Sequence, residues 1–343
     1  MRPIGLAVLL LLAFTAFADP LGPAVHYDDP NAALVAVAST PAGPLAVWRD
    51  VNGTVKANGN VVTTSSARIA AASIGNFALV VWTEADGDVM AARRNADGSA
   101  AGVARRVGMH ATGPVAIAGM TDRYFVAWPG DFGAIYGAIV NTIGLPMIPA
   151  MPITTQSSAN VTEIAAAAAS AGFAAVWHDV PARKVHAITV NENGSPVSMD
   201  PLLLSDDGAL PDVASNGEVF LGVWGAGTIE SRTFTIDRTL GIVHKVTEGA
   251  APKVAWDGTA FGIAFARTVN PRPGFSFPQL FAMRITIYGT YVEQFAPVSS
   301  LLPGDWDMGA IPGRLDLVHS SNGVWVESAT VHAPRSRMRA MRH

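Results

Sequence analysis

The chain contains no cysteine among its 343 residues. This absence excludes a disulfide framework and a lipid-modified N-terminal cysteine. A chain of this length can fold without such bonds, because it buries enough surface unaided. Charged residues are also scarce, at 15% of the chain, and the net charge is −4. We therefore expect no nucleic-acid-binding surface, since such a surface carries a clear basic excess.

Long apolar runs are absent too, except for one at the N-terminus. Residues 6–17 are apolar, Arg2 precedes them, and Ala16-Phe17-Ala18 forms a small-residue cleavage signal. This pattern predicts a signal peptide over residues 1–18 and a mature chain that begins at Asp19. We expect a secreted or periplasmic protein with no membrane span, because no other segment is apolar over the length that a spanning helix needs.

A short apolar run ending in an aromatic residue recurs along the chain. The copies lie at residues 45–48, 77–82, 125–128, 173–177, 220–224 and 261–265. Their last positions are between 34 and 49 residues apart. A repeat of this length indicates a supersecondary unit stacked on copies of itself, and hence one continuous domain. The tryptophans at these positions are expected to pack between the repeated units rather than to form a ligand platform.

Each unit can be divided into four strand signals. The first is rich in small residues, the second is the apolar run, and glycine-containing turns such as Asp97-Gly98 precede the fourth. Residues 164–169 would favour a helix if read alone, but their place in the repeat predicts a strand. Four antiparallel strands per unit predict an all-β protein, a β-propeller of seven blades, with six as the alternative.

The last unit, over residues 309–329, has only three strand signals, whereas residues 23–27 offer a spare strand. Pairing of this N-terminal strand with the last blade would close the ring and cover two exposed edges. We therefore predict a single propeller domain over residues 19–331, as a monomer. Residues 332–343, which carry Arg335, Arg337, Arg339 and Arg342, are predicted to form a basic C-terminal tail.

The combination of a small-residue strand, an Asn-Gly or Asp-Gly turn and a run such as Leu79-Val80-Val81-Trp82 resembles the repeats of secreted bacterial β-propeller proteins. The resemblance covers roughly residues 30–330 and implies the fold rather than an activity. The chain has no Trp-Asp strand endings, no kelch-type glycine doublets and no Ser-x-Asp-x-Gly-x-x-Trp box of the sialidase type. No catalytic residues are therefore carried over.

In several units a polar residue lies two or three positions after the aromatic residue that ends the apolar run. Strand alternation places these residues, and the proline-rich segment 268–278, on one face of the ring. Acidic residues there could instead simply cap strand ends, and the aromatics of the segment could plug the channel. The predicted ligand-binding residues are Asp50, Glu84, Asp131, His178, Asp179, Arg267, Arg272, Phe275 and Phe277.

The sequence favours a non-catalytic binding or scaffold protein with a protein or glycan partner. The alternative is a glycan hydrolase or lyase that uses acidic residues at the channel mouth. His178-Asp179 lacks an accompanying nucleophile motif, and the histidines lack metal-ligand spacing. Residues 50–53 and 84–88 contain oxygen ligands that Ca²⁺ could use, but too few for a full calcium-binding loop. We therefore expect no cofactor, and a bound Ca²⁺ is the alternative.

Overall fold

A computed structural model describes residues 24–64, 66–155, 160–272, 275–294 and 304–331. For Pro271, Arg272, Phe275 and Gln294 the description covers the backbone only. The predicted signal peptide and basic tail lie outside the described residues. Within those residues the regular structure is all β apart from one short 3₁₀ turn, Asp131–Gly133, and no helix is long and apolar enough to cross a membrane.

The strands are numbered in chain order. The first seventeen are β1 Val25–Tyr27, β2 Ala32–Thr40, β3 Gly43–Asp50, β4 Val55–Ala57, β5 Asn60–Thr63, β6 Arg68–Ile74, β7 Phe77–Thr83, β8 Val89–Asn95, β9 Arg105–Gly108, β10 Ala116–Gly119, β11 Arg123–Pro129, β12 Ile135–Asn141, β13 Pro146–Pro152, β14 Val161–Ala169, β15 Gly172–Asp179, β16 Lys184–Asn191 and β17 Leu202–Ser205. The remaining ten are β18 Asp212–Ser215, β19 Phe220–Trp224, β20 Ala226–Phe234, β21 Leu240–Trp256, β22 Phe261–Arg272, β23 Phe275–Ile285, β24 Tyr291–Gln294, β25 Trp306–Ile311, β26 Arg314–Ser320 and β27 Val324–Thr330.

These strands form five separate four-stranded antiparallel sheets and one seven-stranded sheet. Four of the separate sheets follow chain order, namely β2 to β5, β6 to β9, β10 to β13 and β14 to β17. The fifth has the order β1-β27-β26-β25, and the seven-stranded sheet runs from β18 to β24. The prediction of a propeller with four-stranded antiparallel blades is confirmed. The described residues nevertheless show five separate blades, not the seven, or alternatively six, that the repeat count predicted.

The difference in blade count arises at β21, which is a single continuous strand. Its first part pairs with β20, from Phe234↔Leu240 to Ala226↔Ala250. Its second part pairs with β22, from Ala250↔Ala266 to Trp256↔Phe261. Because no loop separates the two parts, the strands on either side of β21 join into one sheet. The backbone changes direction at Ala251, whose φ of 49° lies in the left-handed region.

The N-terminal strand closes the ring as the sequence predicted. Strand β1 pairs with β27, from Val25↔Val326 to Tyr27↔Val324. The His26 ring stacks on the Trp325 ring with a centroid distance of 4.1 Å. This pairing covers an edge of the last sheet that would otherwise expose unpaired backbone groups.

The second strand of each blade lies in the core, because neighbouring blades cover both of its faces. All eight residues of β15 are buried, and Trp48, Trp82, Trp128, Trp177 and Trp224 are at most 1% exposed. The prediction that these tryptophans pack in the core is therefore confirmed. Burial of their large apolar surfaces supplies much of the stabilising free energy that holds one blade against the next.

Segment 268–278 differs from its prediction as a long loop. Strands β22 and β23 continue to pair through it, at Thr268↔Pro278, Val269↔Phe277 and Arg272↔Phe275. It is therefore a β-hairpin arm that extends from the sheet. The physical reason is that backbone donors and acceptors in a projecting segment are satisfied when its two halves pair with each other.

Candidate functional site

Seven strand segments surround a central channel. Each of β2, β6, β10, β14, β18, β21 and β25 contacts the next in chain order, and β25 contacts β2. The channel holds an inner cavity of about 230 Å³ and a mouth cavity of about 390 Å³. Because Val35, Ile69, Val115, Ile164 and Lys253 line both cavities, the two are parts of one continuous space.

The mouth opens where the chain enters the innermost strands. Its lining includes Pro114, Pro211 and Asp305, which lie in the connections from one unit to the next, and Glu163, which lies near the start of β14. These connections share a face with the loops between second and third strands, because strands alternate in direction within a blade. This is the face on which the sequence analysis placed the ligand.

The channel wall changes from apolar to charged on one side of the ring. Strands β6 and β14 contribute Ile69 and Ile164 to the inner cavity, whereas β18 and β21 contribute Asp212 and Lys253. Strand β25 adds Asp307 to the inner cavity, and Asp305 lies at the mouth. The charged residues therefore face a wall built from small apolar side chains.

The three aspartates of this cluster connect one innermost strand to the next through hydrogen bonds. Asp212 Oδ2 accepts a hydrogen bond from Val254 N over 2.7 Å. Asp305 Oδ2 accepts from Val35 N, and Asp307 Oδ2 accepts from Val37 N, each over 2.9 Å. These bonds satisfy backbone donors on the channel edge of β21 and β2. Part of the role of the carboxylates is thus structural, since they hold neighbouring strands together and secure the contact between β25 and β2.

The electrostatics of the cluster are unbalanced. Burial raises the pKa of Asp212 to about 6, and the nearby negative charge of Asp307 adds to this rise. Burial also raises the pKa values of Asp305 and Asp307. For Lys253, burial alone would lower the pKa, but the surrounding carboxylates outweigh it and the pKa is raised. The lysine therefore stays protonated, and its single positive charge lies among three neighbouring aspartate carboxyl groups.

Lys253 is held at a distance from these partners. Within the described part of the chain, its ammonium has no salt-bridge partner within 4.0 Å. Its attraction to Asp212, Asp307, Asp305 and Glu163 acts through the channel space rather than through direct contact. The cluster thus leaves room for further groups between the charges.

Glu163 and His178 form a pair beside the mouth. Glu163 Oε2 accepts a hydrogen bond from Thr162 Oγ1 over 2.5 Å and lies 3.2 Å from His178 Nδ1. The His178 ring is otherwise buried, and its Nε2 has no hydrogen-bond partner among the described residues. His178 therefore orients a carboxylate that lines the mouth, and it pairs with Glu163 rather than with the adjacent Asp179.

None of the four carboxylates predicted on the rim lines either channel cavity. Each instead contacts nearby groups of its own blade or of the connection that leads into that blade. Asp50 Oδ1 accepts from the backbone of Asn52 and Thr54, and Asp179 Oδ1 accepts from Ala182 N over 3.3 Å. Glu84 accepts from the Trp82 indole over 3.3 Å, while Asp131 lies 3.3 Å from His110 Nδ1. Their part in ligand binding stays a prediction.

The cationic and aromatic residues predicted for the site lie on or near the hairpin arm. The Arg267 guanidinium stacks over the Phe281 ring at 4.4 Å from its centroid. Phe277 is partly buried opposite Val269. The side chains of Arg272 and Phe275 lie outside what the structure describes. No described residue of the arm lines the channel cavities.

Sequence reasoning missed the charged channel cluster, although a signal for it was present. Asp212-Val-Ala-Ser215 and Lys253-Val-Ala-Trp256 occupy the same place in the repeat as Ile69-Ala-Ala-Ala-Ser73. A charged residue at a position that is otherwise apolar and at least partly buried costs free energy, so it indicates a polar cavity. Asp305, Asp307 and Arg68 carried no comparable repeat signal.

The geometry suits binding of a polar molecule through several charged groups. Among the described residues, no group of three or more His, Asp or Glu side chains is arranged to hold a metal ion. Together, the fold and the site define a β-propeller with a charged central channel.

Comparisons with known proteins agree with the propeller fold. No protein-family model matches the chain, and no curated protein sequence matches it significantly. Among solved structures, the BP39L lectin from Burkholderia pseudomallei is similar, with a TM-score of 0.62, 16% identity, and coverage of 88% of this chain and 96% of the lectin. Kuenenia stuttgartiensis hydrazine synthase has a TM-score of 0.57 at 13% identity, over 91% of this chain and 99% of its own.

A third similar structure is the Cps50 (Swd1) β-propeller domain of Myceliophteria thermophila, with a TM-score of 0.53 and 10% identity. The match covers 91% of this chain and 99% of that domain. At these identities the similarity shows the propeller fold alone.

Proposed function

We propose that this protein is an exported, non-catalytic binding propeller whose ligand site is the channel mouth. The observation that carries the proposal is the convergence of Arg68, Glu163, Lys253 and Asp305, from separate units of the ring, on one cavity of about 390 Å³. A concave site with apolar walls and a few convergent charged groups is the usual form of a ligand pocket. The partner is a polar ligand or an exposed group of a protein or glycan.

The fold and the N-terminal sequence support this proposal. A rigid ring that presents loops and a central cavity on one face is suited to recognition, and one structural neighbour is a lectin. Export is supported by the signal-peptide pattern with cleavage near Ala18.

We also infer that the ring contains seven blades. The seven innermost strand segments and the two separate pairings of β21 support this count. On this interpretation β21 is the outermost strand of the fifth blade and the innermost strand of the sixth.

A thermal-shift screen tests the binding site directly. Purified wild-type protein is heated in the presence of neutral oligosaccharides, amino acids, amines and organic acids. A ligand present at about 100 times its Kd stabilises the folded state by about 2.7 kcal/mol, so a true ligand raises the Tm measurably. Glu163→Gln, which removes a charge at the mouth, should abolish or reduce that shift.

Matched variants on the rim complete the experiment. Glu84→Gln and Asp131→Asn remove carboxylates on the same face that do not line the channel cavities. Both should keep the full ligand-induced shift. If the rim variants lose the shift and Glu163→Gln keeps it, the site lies on the rim and the channel-mouth assignment is wrong.

A second candidate function is acid–base chemistry on a glycan, which the raised pKa of Asp212, about 6, favours. A carboxyl group in that range can act as a general acid near neutral pH. Hydrolysis or elimination of a glycan by the wild type, lost in Asp212→Asn, would support an enzyme. Binding without turnover would leave the non-catalytic role.

A further inference from the structure

The charges that line the channel do not balance. Four carboxylates, Asp212, Asp307, Glu163 and Asp305, line the two cavities, against the two cationic side chains Lys253 and Arg68. The formal difference is two negative charges, and Arg68 lies at the solvent-exposed end of the channel. Such crowding of like charge in an enclosed space is unfavourable unless a further cation enters or carboxylates take up protons.

The spacing of the carboxylates favours an organic cation over a metal ion. The described acidic groups are not clustered closely enough to coordinate a metal. They are spread along a channel that also carries aliphatic side chains, since Val35, Ile69, Val115 and Ile164 line both cavities. An ammonium or guanidinium group on a methylene chain matches both features, because its charged end can reach the carboxylates while the chain packs on these aliphatic side chains.

We propose that the channel binds an organic cation, in which an ammonium or guanidinium group enters between Lys253, Glu163 and the three channel aspartates. This proposal rests on the channel-mouth site and specifies the ligand class for it. Two sources share the chemistry, namely a free small amine and the lysine or arginine side chain of a partner peptide.

Burial-raised carboxyl pKa values support the proposal and give it a thermodynamic signature. Asp212, Asp305 and Asp307 all bind protons more readily than exposed aspartates do. A bound cation favours their ionised forms, so binding near pH 6 should release protons and should weaken as the pH falls. The groups that face this cluster are Lys253, Glu163 and Arg68, with His178 behind Glu163.

The test compares three probes of equal chain length by isothermal titration calorimetry. Cadaverine carries two terminal ammonium groups, pentanediol two hydroxyls, and glutarate two carboxylates. We expect cadaverine to bind at least about tenfold more tightly than pentanediol, and glutarate not to bind. The peptides Ala-Lys-Ala and Ala-Gln-Ala then distinguish the sources, since tighter binding of Ala-Lys-Ala than of cadaverine identifies a partner side chain.

Two variants with opposite expected effects on cadaverine affinity make the test specific. Asp305→Asn should weaken cadaverine binding by about tenfold, whereas Lys253→Met should strengthen it because the competing internal cation is gone. Glu84→Gln, with its carboxylate outside the channel, should leave the affinity unchanged. If Lys253→Met does not fold, two other measurements test the same proposal. These are the weaker binding of cadaverine to Asp305→Asn and a fall in the wild-type affinity for cadaverine from about pH 7.5 to about pH 5.5.

The outcomes separate this inference from the proposed function. Equal binding of pentanediol and cadaverine, or cadaverine binding that is insensitive to Asp305→Asn, would overturn the cation assignment. If cadaverine fails while a neutral glycan binds in a Glu163-dependent manner, the cation inference is wrong and the binding site stands. If no probe of any class binds at the mouth, both proposals fail.

Discussion

Arg284 donates a hydrogen bond through Nε to Asp257 Oδ2 over 2.7 Å, and the two side chains are only 1% and 0% exposed. Asp257 begins a turn, and its other oxygen accepts bonds from Thr259 N and Ala260 N. A residue that the sequence marks only as part of an Asp-Gly turn therefore also neutralises a buried cation.

Replacement of Asp257 by alanine should destabilise the fold strongly. The change removes the Asp257 carboxylate from the buried Arg284 charge, which keeps its contact with the partly exposed Glu293 at 2.7 Å, and it removes the turn contacts. We expect a loss of about 3–5 kcal/mol in the free energy of unfolding, measured by urea denaturation. Glu293→Gln is the control and should cost about 1 kcal/mol or less. Equal losses in both variants would contradict the assignment of Asp257 as the main partner.

Burial of the tryptophans between blades predicts a difference in stability between variants of a buried and an exposed aromatic residue. Trp82 is 1% exposed, so Trp82→Ala should lower the free energy of unfolding by about 3–5 kcal/mol through lost burial and a residual cavity. Phe132 is 94% exposed, and Phe132→Ala should change stability by less than about 0.5 kcal/mol. Thermal unfolding of the two variants beside the wild type measures this difference.

Ring closure depends on Asp29 as well as on strand pairing. Asp29 Oδ2 accepts bonds from Trp48 Nε1 over 2.7 Å and from Lys56 Nζ over 2.6 Å, which holds the N-terminal segment against the first blade. Asp29→Ala should cost about 1–3 kcal/mol, because the buried indole N–H loses its acceptor. Asp28 is exposed, so Asp28→Ala is the matched control. Hydrogen exchange should show faster exchange in β1 and β27 only for the Asp29 variant, and unchanged exchange there would refute this role.

The raised pKa of Asp212 predicts how stability depends on pH. Its folded-state value of about 6 lies above the ordinary 3.8, so its contribution to stability is full below 3.8 and is lost as the pH rises through about 6. The rise of the Asp212 pKa from 3.8 to about 6 corresponds to about 3 kcal/mol. Asp212→Asn retains an oxygen that can accept from Val254 N but cannot titrate. Its unfolding free energy should therefore vary less than that of the wild type between about pH 4 and about pH 7.

Exposed Asp122 supplies the control for this pH dependence. Its pKa is lowered by a hydrogen bond from Arg123, so Asp122→Asn should leave the slope over this range almost unchanged. A slope in Asp212→Asn equal to that of the wild type would show that Asp212 does not titrate there.

The repeat itself made most of the fold predictable. The period of the apolar runs, the small first strands and the spare strand near residue 25 led to four-stranded blades, a core of tryptophans and a closed ring. Even the alanine-rich β14 could be assigned as a strand, because its place in the repeat outweighs its helix propensity.

The site was less predictable, because it depends on which residues face each other across the channel. Asp212 and Lys253 lie far apart in sequence from Asp305 and Asp307, and only ring closure brings them together. Acidic residues after the apolar runs gave a stronger local pattern, but Asp50 and Asp179 use their oxygens to cap turns. The pairing of β22 with β23 through segment 268–278 was also hidden, since its prolines suggested a loop.

The continuous strand β21 has a consequence for how this chain can be cut and rearranged. Elsewhere a glycine turn or loop separates successive units, and new termini or inserted domains can be placed in such a connection. Between β20 and β22 there is no such connection, because a break near Ala251 would interrupt hydrogen bonding to both neighbours at once. In the evolution or engineering of this ring, these two units must be duplicated, permuted or lost together.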